Sequence, residues 1–219
     1  MGIERMGPPD WLVERVRRRF GVTSFVETGG HLGDTAAWAA ARFDKVYSVE
    51  AHRESYDKAV ARHGRLANVR FVHGESAAFV ADIVATLAGD AVFWLDAHWM
   101  GSGSYGEHAE CPLLAELAAI NRSPYAHFLF IDDARLFLSP PPHPHRAEQW
   151  PAVTEVLQAL SAKERYTIVL EDVIVSVPAA ARGEVLPWVQ QRATDAWSRG
   201  ASGAGKSWFR RLFGRERGE

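Results

Sequence analysis

The 219-residue chain has a single cysteine, Cys111. That excludes an internal disulfide framework and points to a reducing compartment. No apolar run approaches the ~18–20 residues of a membrane span. The opening MGIERMGPPDW lacks the apolar stretch of a signal peptide, so a cytoplasmic location is expected. Strong charge of one sign is also missing. The formal net charge is −2; six Lys/Arg and two Glu from Arg199 onward give +4 there, which leaves −6 for residues 1–198. A mildly acidic body argues against nucleic acid as a partner. Internal repeats are absent too. What remains, 47% hydrophobic and 24% charged residues, suits one globular domain that can bury a core without disulfides.

The chain's main pattern is alternation. β-Branched and aromatic runs, TSFVET (23–28), KVYSVE (45–50), VRFVHG (69–74), AVFWLDA (91–97) and HFLFIDD (127–133), are separated by Ala-rich helical stretches. This predicts βαβ units and a parallel sheet covered on both faces. SPPPHPHR (139–146) is too proline-rich for a strand. A helix is expected near 151–163, and RYTIVLEDVIVSVP (165–178) reads as an antiparallel hairpin turning at Glu171-Asp172. The expected fold class is α/β: a Rossmann-like, doubly wound, mostly parallel seven-stranded sheet with a terminal hairpin. A helical lead-in (1–22) precedes the domain at 23–180, and a helical extension with a flexible basic tail follows (181–219).

Two strand-to-helix turns carry the nucleotide signal. VETGGHLGDT places Glu27, Gly29, Gly30 and Gly33 between a strand and a helix, where glycine lets the backbone turn sharply and a ligand approach. Asp34 and Thr35 are candidate caps of the helix, whose N-terminal N–H groups face the loop. The second strand ends in Glu50, a carboxylate suited to ribose hydroxyls. Glu75 and Ser76 follow the third strand, within reach of a base. Ligands of open parallel sheets bind at this edge.

With these residues the chain resembles the class I S-adenosylmethionine-dependent methyltransferases over residues ~20 to ~178. VETGGHLG stands where that family has its acidic-glycine cofactor loop, with His31 at the usual middle glycine, and SVE where it has the ribose acid. The resemblance implies that Glu27, Gly29, Gly30, Gly33, Asp34, Thr35, Glu50, Glu75, Ser76 and Asp96 bind S-adenosylmethionine.

The fourth strand ends FWLDAHW, with Asp96 and His98, and the fifth ends FIDDAR, with Asp132, Asp133 and Arg135. Carboxylates gathered at adjacent strand ends repel one another, and a divalent cation such as Mg²⁺ resolves the conflict. This centre is similar to that of metal-dependent O-methyltransferases, of the catechol type and, more closely, the macrocin type acting on sugar hydroxyls. The resemblance implies a metal on Asp96, Asp132 and Asp133, with His98 and Asp96 as catalytic residues. The catechol type has a lysine where Trp99 stands here, so His98 is the nearest candidate base. Arg135 also reads as an ion-pair partner of an Asp, and Cys111 as plain packing. The loops at 100–110 and 139–146, the latter with His143 and His145, flank the same edge.

The leading expectation is therefore an enzyme that methylates a hydroxyl of a small-molecule or glycan acceptor. A nicotinamide-dependent oxidoreductase and a non-catalytic cofactor-binding module remain open. GASGAGKS (200–207) matches the phosphate-binding-loop pattern, but no strand precedes it, and it reads as a flexible linker. Beyond it, Trp208, Phe209, Leu212 and Phe213 share one helical face among arginines, a candidate surface for a membrane or a protein partner. An oligomer is compatible with the sequence.

Overall fold

The structure is a computed structural model that describes residues 7–99, 106 and 109–213, with side chains described as far as residue 198. It opens with α1 (Asp10–Phe20), which buries Leu12, Val13 and Val16 and stops at Gly21 in a left-handed conformation. Five strands alternate with helices in the predicted order: β1 (Ser24–Thr28), α2 (Asp34–Ala40), β2 (Lys45–Glu50), α3 (Arg53–His63), β3 (Val69–His73), α4 (Ser76–Thr86), β4 (Ala91–Leu95), α5 (Leu113–Asn121) and β5 (Phe128–Ile131). Short α6 (Arg135–Leu138) and α7 (Val153–Leu160) lead to the hairpin of β6 (Arg165–Leu170) and β7 (Val173–Pro178).

The seven strands lie in the order β3-β2-β1-β4-β5-β7-β6. β1 pairs in parallel with both β2 and β4, so the chain's crossover direction reverses between β1 and β4, the place where open α/β sheets bind ligands. β7 inserts antiparallel between β5 and β6, with Ile131 opposite Ile174. That register carries the hairpin turn at Glu171-Asp172 to the edge where β5 ends at Ile131.

The strands are apolar because both faces are covered. Every residue of β4 and β5 is buried. One core joins Phe79, Val80 and Ile83 of α4, Leu117 and Ile120 of α5, and Val156 and Leu160 of α7 against Phe93, Leu129 and Ile174 of the sheet.

The chain divides into compact units at Ala180/Ala181. The second unit contains α8 (Arg182–Phe213). GASGAGKS lies within this helix, where a flexible linker is expected from its composition. Each glycine costs about 1 kcal/mol relative to alanine in a helix, but a helix nucleated upstream adds one hydrogen bond per residue as it propagates. No strand delivers the motif, so the phosphate-loop reading has no structural support. The docking face of Trp208, Phe209, Leu212 and Phe213 rests on side chains outside the described residues. No helix among the described residues is long and apolar enough to cross a membrane.

At the opposite end of the sheet a buried histidine closes the fold. His127 accepts the Ala91 N–H at Nδ1 (3.0 Å), and its Nε2 bonds the Ser123 hydroxyl (2.7 Å). Arg165 donates to the His127 carbonyl (2.6 Å), and Lys163 donates to the carbonyls of Ser123 and Tyr125. Burial, helped by Lys163 and Arg165, pushes the imidazole down to about 4. Between that value and the ordinary ~6.5, the unfolded chain binds the extra proton, so this histidine's contribution is full above ~6.5 and lost as pH falls to about 4. In urea unfolding, the stability difference between the wild type and His127→Gln should shrink by on the order of 3 kcal/mol from pH 6.5 to pH 4. A pH-independent difference would mean that the imidazole is charged in the fold.

Candidate active site

β1 delivers the glycine loop to the reversal point of the sheet. Gly29 has φ +76°, and a Cβ placed on it would lie 2.4 Å from the Asp96 carbonyl oxygen; one on Gly30 would lie 2.2 Å from Ser48 Oγ. A side chain at Gly29 would force the β1 loop away from the backbone after β4, and one at Gly30 would displace the Ser48 hydroxyl. The loop is pinned by backbone bonds from Gly30 N–H to Val49 O (2.9 Å) and from Asp96 N–H to Thr28 O (3.2 Å). Glu50 completes it: one carboxylate oxygen accepts the N–H of His31, held at φ 42°, and the other the N–H of His52, each at 2.7 Å.

The capping expected of Asp34 or Thr35 is not made. Gly33, at φ 80°, occupies the N-cap of α2 without a side-chain bond. The exposed Asp34 instead pairs with His63 (3.2 Å) and Arg62 (3.4 Å) on α3. The Thr35 hydroxyl bonds the buried Glu27, which also accepts from Ser48 Oγ at 2.6 Å. Burial raises Glu27 to about 7; the two hydroxyls oppose the shift, and Asp96 and Glu50 reinforce it. Glu75 is exposed at the N-cap of α4, and Ser76 beside it is buried.

At the ends of β4 and β5, the structure groups Asp96, His98 and Asp133. His98 Nε2 lies 2.8 Å from Asp133 and 3.6 Å from Asp96, and the three offer ligand atoms within 4.8 Å of one another. The histidine thus joins the set in the place expected for Asp132. Asp133 turns the chain at φ 54°, and its N–H bonds Asp132 Oδ1 at 2.8 Å.

The electrostatics follow from burial and pairing. Burial alone would discharge His98, but its bonds to Asp133 and Asp96 raise it to about 10. In this arrangement it is an imidazolium near neutrality, not the base of mid-range pKa that its isolated chemistry suggests. Burial favours a protonated Asp133, yet His98 and Arg135 overcome it and hold the group low. Asp132 has no cationic partner among the described residues, and burial with repulsion from Asp96 and Asp133 raises it to about 8. Asp96 is also raised, by burial first.

Several contributors escape sequence reasoning. Asp172, 5% exposed at the hairpin turn, accepts the Arg135 N–H (3.0 Å) and the Arg135 guanidinium, which also reaches Asp133 (2.7 Å). Arg135 therefore ties the hairpin to the acidic centre; only its pairing with an Asp was foreseeable. Glu116 of α5 is 1% exposed, and its carboxyl bonds the hydroxyls of Ser76 and Thr28. The helical spacing of Leu113, Glu116, Leu117 and Ile120 is the signal that could have found it, because the glutamate falls within the apolar stripe.

Glu110, also 1% exposed, joins the two flanking loops. Its carboxylate accepts from Trp150 Nε1 (2.7 Å), Arg146 N–H (3.0 Å) and His145 Nδ1 (3.1 Å), while its carbonyl accepts the Trp99 N–H (2.8 Å). Trp150 in turn packs 5.5 Å from the His98 ring. Of the His-x-His pair, His145 is thus committed to Glu110 and His143 is exposed. Of the 100–110 loop, residues 100–105, 107 and 108 lie outside the described residues.

The same fold occurs in solved methyltransferases. An O-methyltransferase from Bacillus cereus in complex with SAH superposes with a TM-score of 0.59 at 13% identity, over 80% of this chain and 84% of that one. An SAH-bound methyltransferase from Podospora anserina gives a TM-score of 0.55 at 13% identity, over 79% of each chain. The fold is a methyltransferase fold. No family model matches the chain, and no curated protein matches it.

Replacing the Glu110 carboxylate tests the link between the loops. Glu110→Gln turns an amide N–H₂ toward donors, leaving buried groups unpaired at about 1–3 kcal/mol. The variant should lose that much in urea unfolding and be cleaved faster by protease within 99–110 and 139–150. Wild-type stability with an unchanged cleavage pattern would show that the two loops hold independently.

Proposed function

We propose that the chain is an S-adenosylmethionine-dependent methyltransferase acting on a hydroxyl of a sugar or natural product, with a divalent cation assisting. The single observation that carries this reading is the meeting of two features at Asp96. The glycine loop packs against its backbone so closely that no Cβ fits at Gly29, and its side chain belongs to the acidic trio. A cofactor on the loop and an acceptor at the acidic centre are then neighbours. The Bacillus cereus and Podospora anserina structures, which hold SAH, support the choice of cofactor.

The residues fit both absent groups. Gly29 and Gly30 let the loop sit directly against β4 and β2 at the strand-end edge, and Glu50 retains lone pairs for ribose hydroxyls beyond its two N–H bonds. When bound, the cofactor supplies an electrophilic methyl group. The oxygens of Asp96, Asp132 and Asp133 and the imidazole of His98 are a donor set for Mg²⁺ or a similar ion. Such an ion would lower the acceptor hydroxyl's pKa and orient it.

The chain's own part is binding, orientation and proton handling. Asp96 stands between loop and acceptor and orients both. With no ion bound, His98 keeps its proton at Nε2 between Asp96 and Asp133 and balances their charge; ligation of an ion would release that proton. Asp132 lines the crevice without a cationic partner among the described residues; burial and the neighbouring acids raise its affinity for a proton, and in its ionised form it takes up the acceptor proton. Glu110, through Trp150, holds His98 from behind and keeps water from that side. Action in the cytoplasm, and docking through the basic segment from Arg199 onward, belong to the same proposal; the docking rests on charge alone.

Calorimetric titration with S-adenosylhomocysteine, NAD and ATP, each with and without Mg²⁺, separates the classes. The homocysteine nucleoside should bind, and NAD and ATP should not; NAD binding in its place would make the chain an oxidoreductase. Asp132→Ala should retain nucleoside binding yet lose about 10²–10³-fold in methyl transfer to a panel of glycosides and phenols, the scale of removing one polar group that acts on the transition state. Unchanged turnover in Asp132→Ala would remove it from the chemistry, and nucleoside binding without turnover by the wild type would leave a cofactor-binding module.

A further inference from the structure

Both oxygens of Asp133 are held by cations. Its Oδ2 lies 2.8 Å from His98 Nε2, and its Oδ1 accepts from Arg135 Nη1 at 2.7 Å. The same guanidinium nitrogen also donates to Asp172 Oδ2. The Arg135 side chain is 44% exposed, that of Asp172 only 6%. An exposed ion pair by itself contributes about 0–1 kcal/mol. The buried second carboxylate is what gives the guanidinium a fixed place beside Asp133.

Asp172 fixes the backbone of the same turn. Its carbonyl accepts the Ala134 N–H (2.8 Å), and its Oδ1 accepts the Arg135 N–H (3.0 Å). One residue of the hairpin turn thus holds the turn after β5 at three oxygens. Asp133 sits there at φ 54°, a conformation that a non-glycine residue keeps where its surroundings enforce it. The pairing of Ile131 with Ile174 across β5 and β7 brings the two turns together.

This pinning limits what Asp133 can give to an ion. Arg135 occupies Oδ1, so Oδ2 is the oxygen left facing His98 and Asp96, the other members of the trio. A single oxygen from a carboxylate suits Mg²⁺, a small octahedral ion that keeps several waters. Ca²⁺ takes about six to eight oxygens and uses carboxylates through both. A guanidinium that withholds one oxygen works against the larger ion.

We propose that Asp172 is a positioning residue of the acidic centre: through Arg135 it withholds Asp133 Oδ1, so that the centre offers one Asp133 oxygen and favours Mg²⁺ over Ca²⁺. This rests on the metal-assisted reading above. The two ions carry the same charge, so the ratio of their affinities reports the oxygens offered and not the field of the neighbouring groups.

Calorimetric titration of the full-length chain with Mg²⁺ and with Ca²⁺ reads that ratio without turnover. The wild type should bind Mg²⁺ more tightly. Arg135→Gln removes the group on Oδ1; Asp172→Asn leaves Arg135 in an exposed pair that a divalent ion can displace. Each should move the ratio at least about fivefold toward Ca²⁺, just under the roughly tenfold to hundredfold effect of supporting partners on metal ligands. The double variant should move it no further than Arg135→Gln alone, because the two residues act in series. A wild-type ratio in either single variant, additive shifts in the double variant, or a wild type that binds Ca²⁺ as tightly as Mg²⁺ overturns the proposal. Should Asp172→Asn not fold, Arg135→Gln at its half-exposed position still tests the withheld oxygen. If the wild type binds neither ion, the metal-assisted reading itself fails, and the proposal with it.

Discussion

Carboxyl groups crowd the C-terminal edge of the parallel strands, and the architecture of the site is a set of answers to that crowding. Glu27, Glu50, Asp96, Glu116, Asp132, Asp133 and Asp172 all reach this edge, where His98 and Arg135 supply the positive charge. Each acid is handled differently. Asp133 stays ionised because it takes both cations. Glu50 is held by backbone N–H groups. Glu27 and Glu116, buried among hydroxyls, are each raised to about 7, and Asp132, with no cationic partner among the described residues, to about 8. Groups poised near neutrality are those that can exchange a proton or accept a ligand's charge.

The crowding has a structural source. Parallel strands fed by crossover helices deliver all their turns to one edge, and the reversal between β1 and β4 opens a crevice there. The antiparallel insertion of β7 adds an element from the other direction. Through Asp172 and Arg135 it braces the turn after β5, so the hairpin that ends the sheet also stiffens the acidic centre. Glu110 does the same for the outer loops: one buried carboxylate holds His145, Arg146 and Trp150 together.

The legible parts share a property. β1 to β5, the hairpin and the glycine loop are each specified by neighbours in sequence: β-branched runs, an Ala-rich helix, a turn residue. Asp96, His98, Asp132 and Asp133 could be named because strand ends in a parallel sheet are forced to be neighbours. The partners within that group were not legible. His98 rather than Asp132 completes the trio because the bonds that raise its affinity for a proton come from two different strands. Asp34 reads as a cap, yet its partners sit on α3, 28 and 29 residues away. The Gly-Ser-Ala run after Arg199 reads as a linker from composition, and the helix upstream decides otherwise.

The sequence by itself determined the order of elements, the parallel sheet, the place of the glycine loop and the acidity of the strand-end edge, because these follow from local periodicity and from chemistry fixed residue by residue. Tertiary structure alone decided which acids burial raises, which are paired and which is left with an open oxygen. Glu110 owes its role to contacts 36 and 40 residues away, with Arg146 and Trp150, and Asp172 to one 37 residues away, with Arg135. A carboxylate's charge state depends on burial and on the donors around it, and neither exists until the chain has closed.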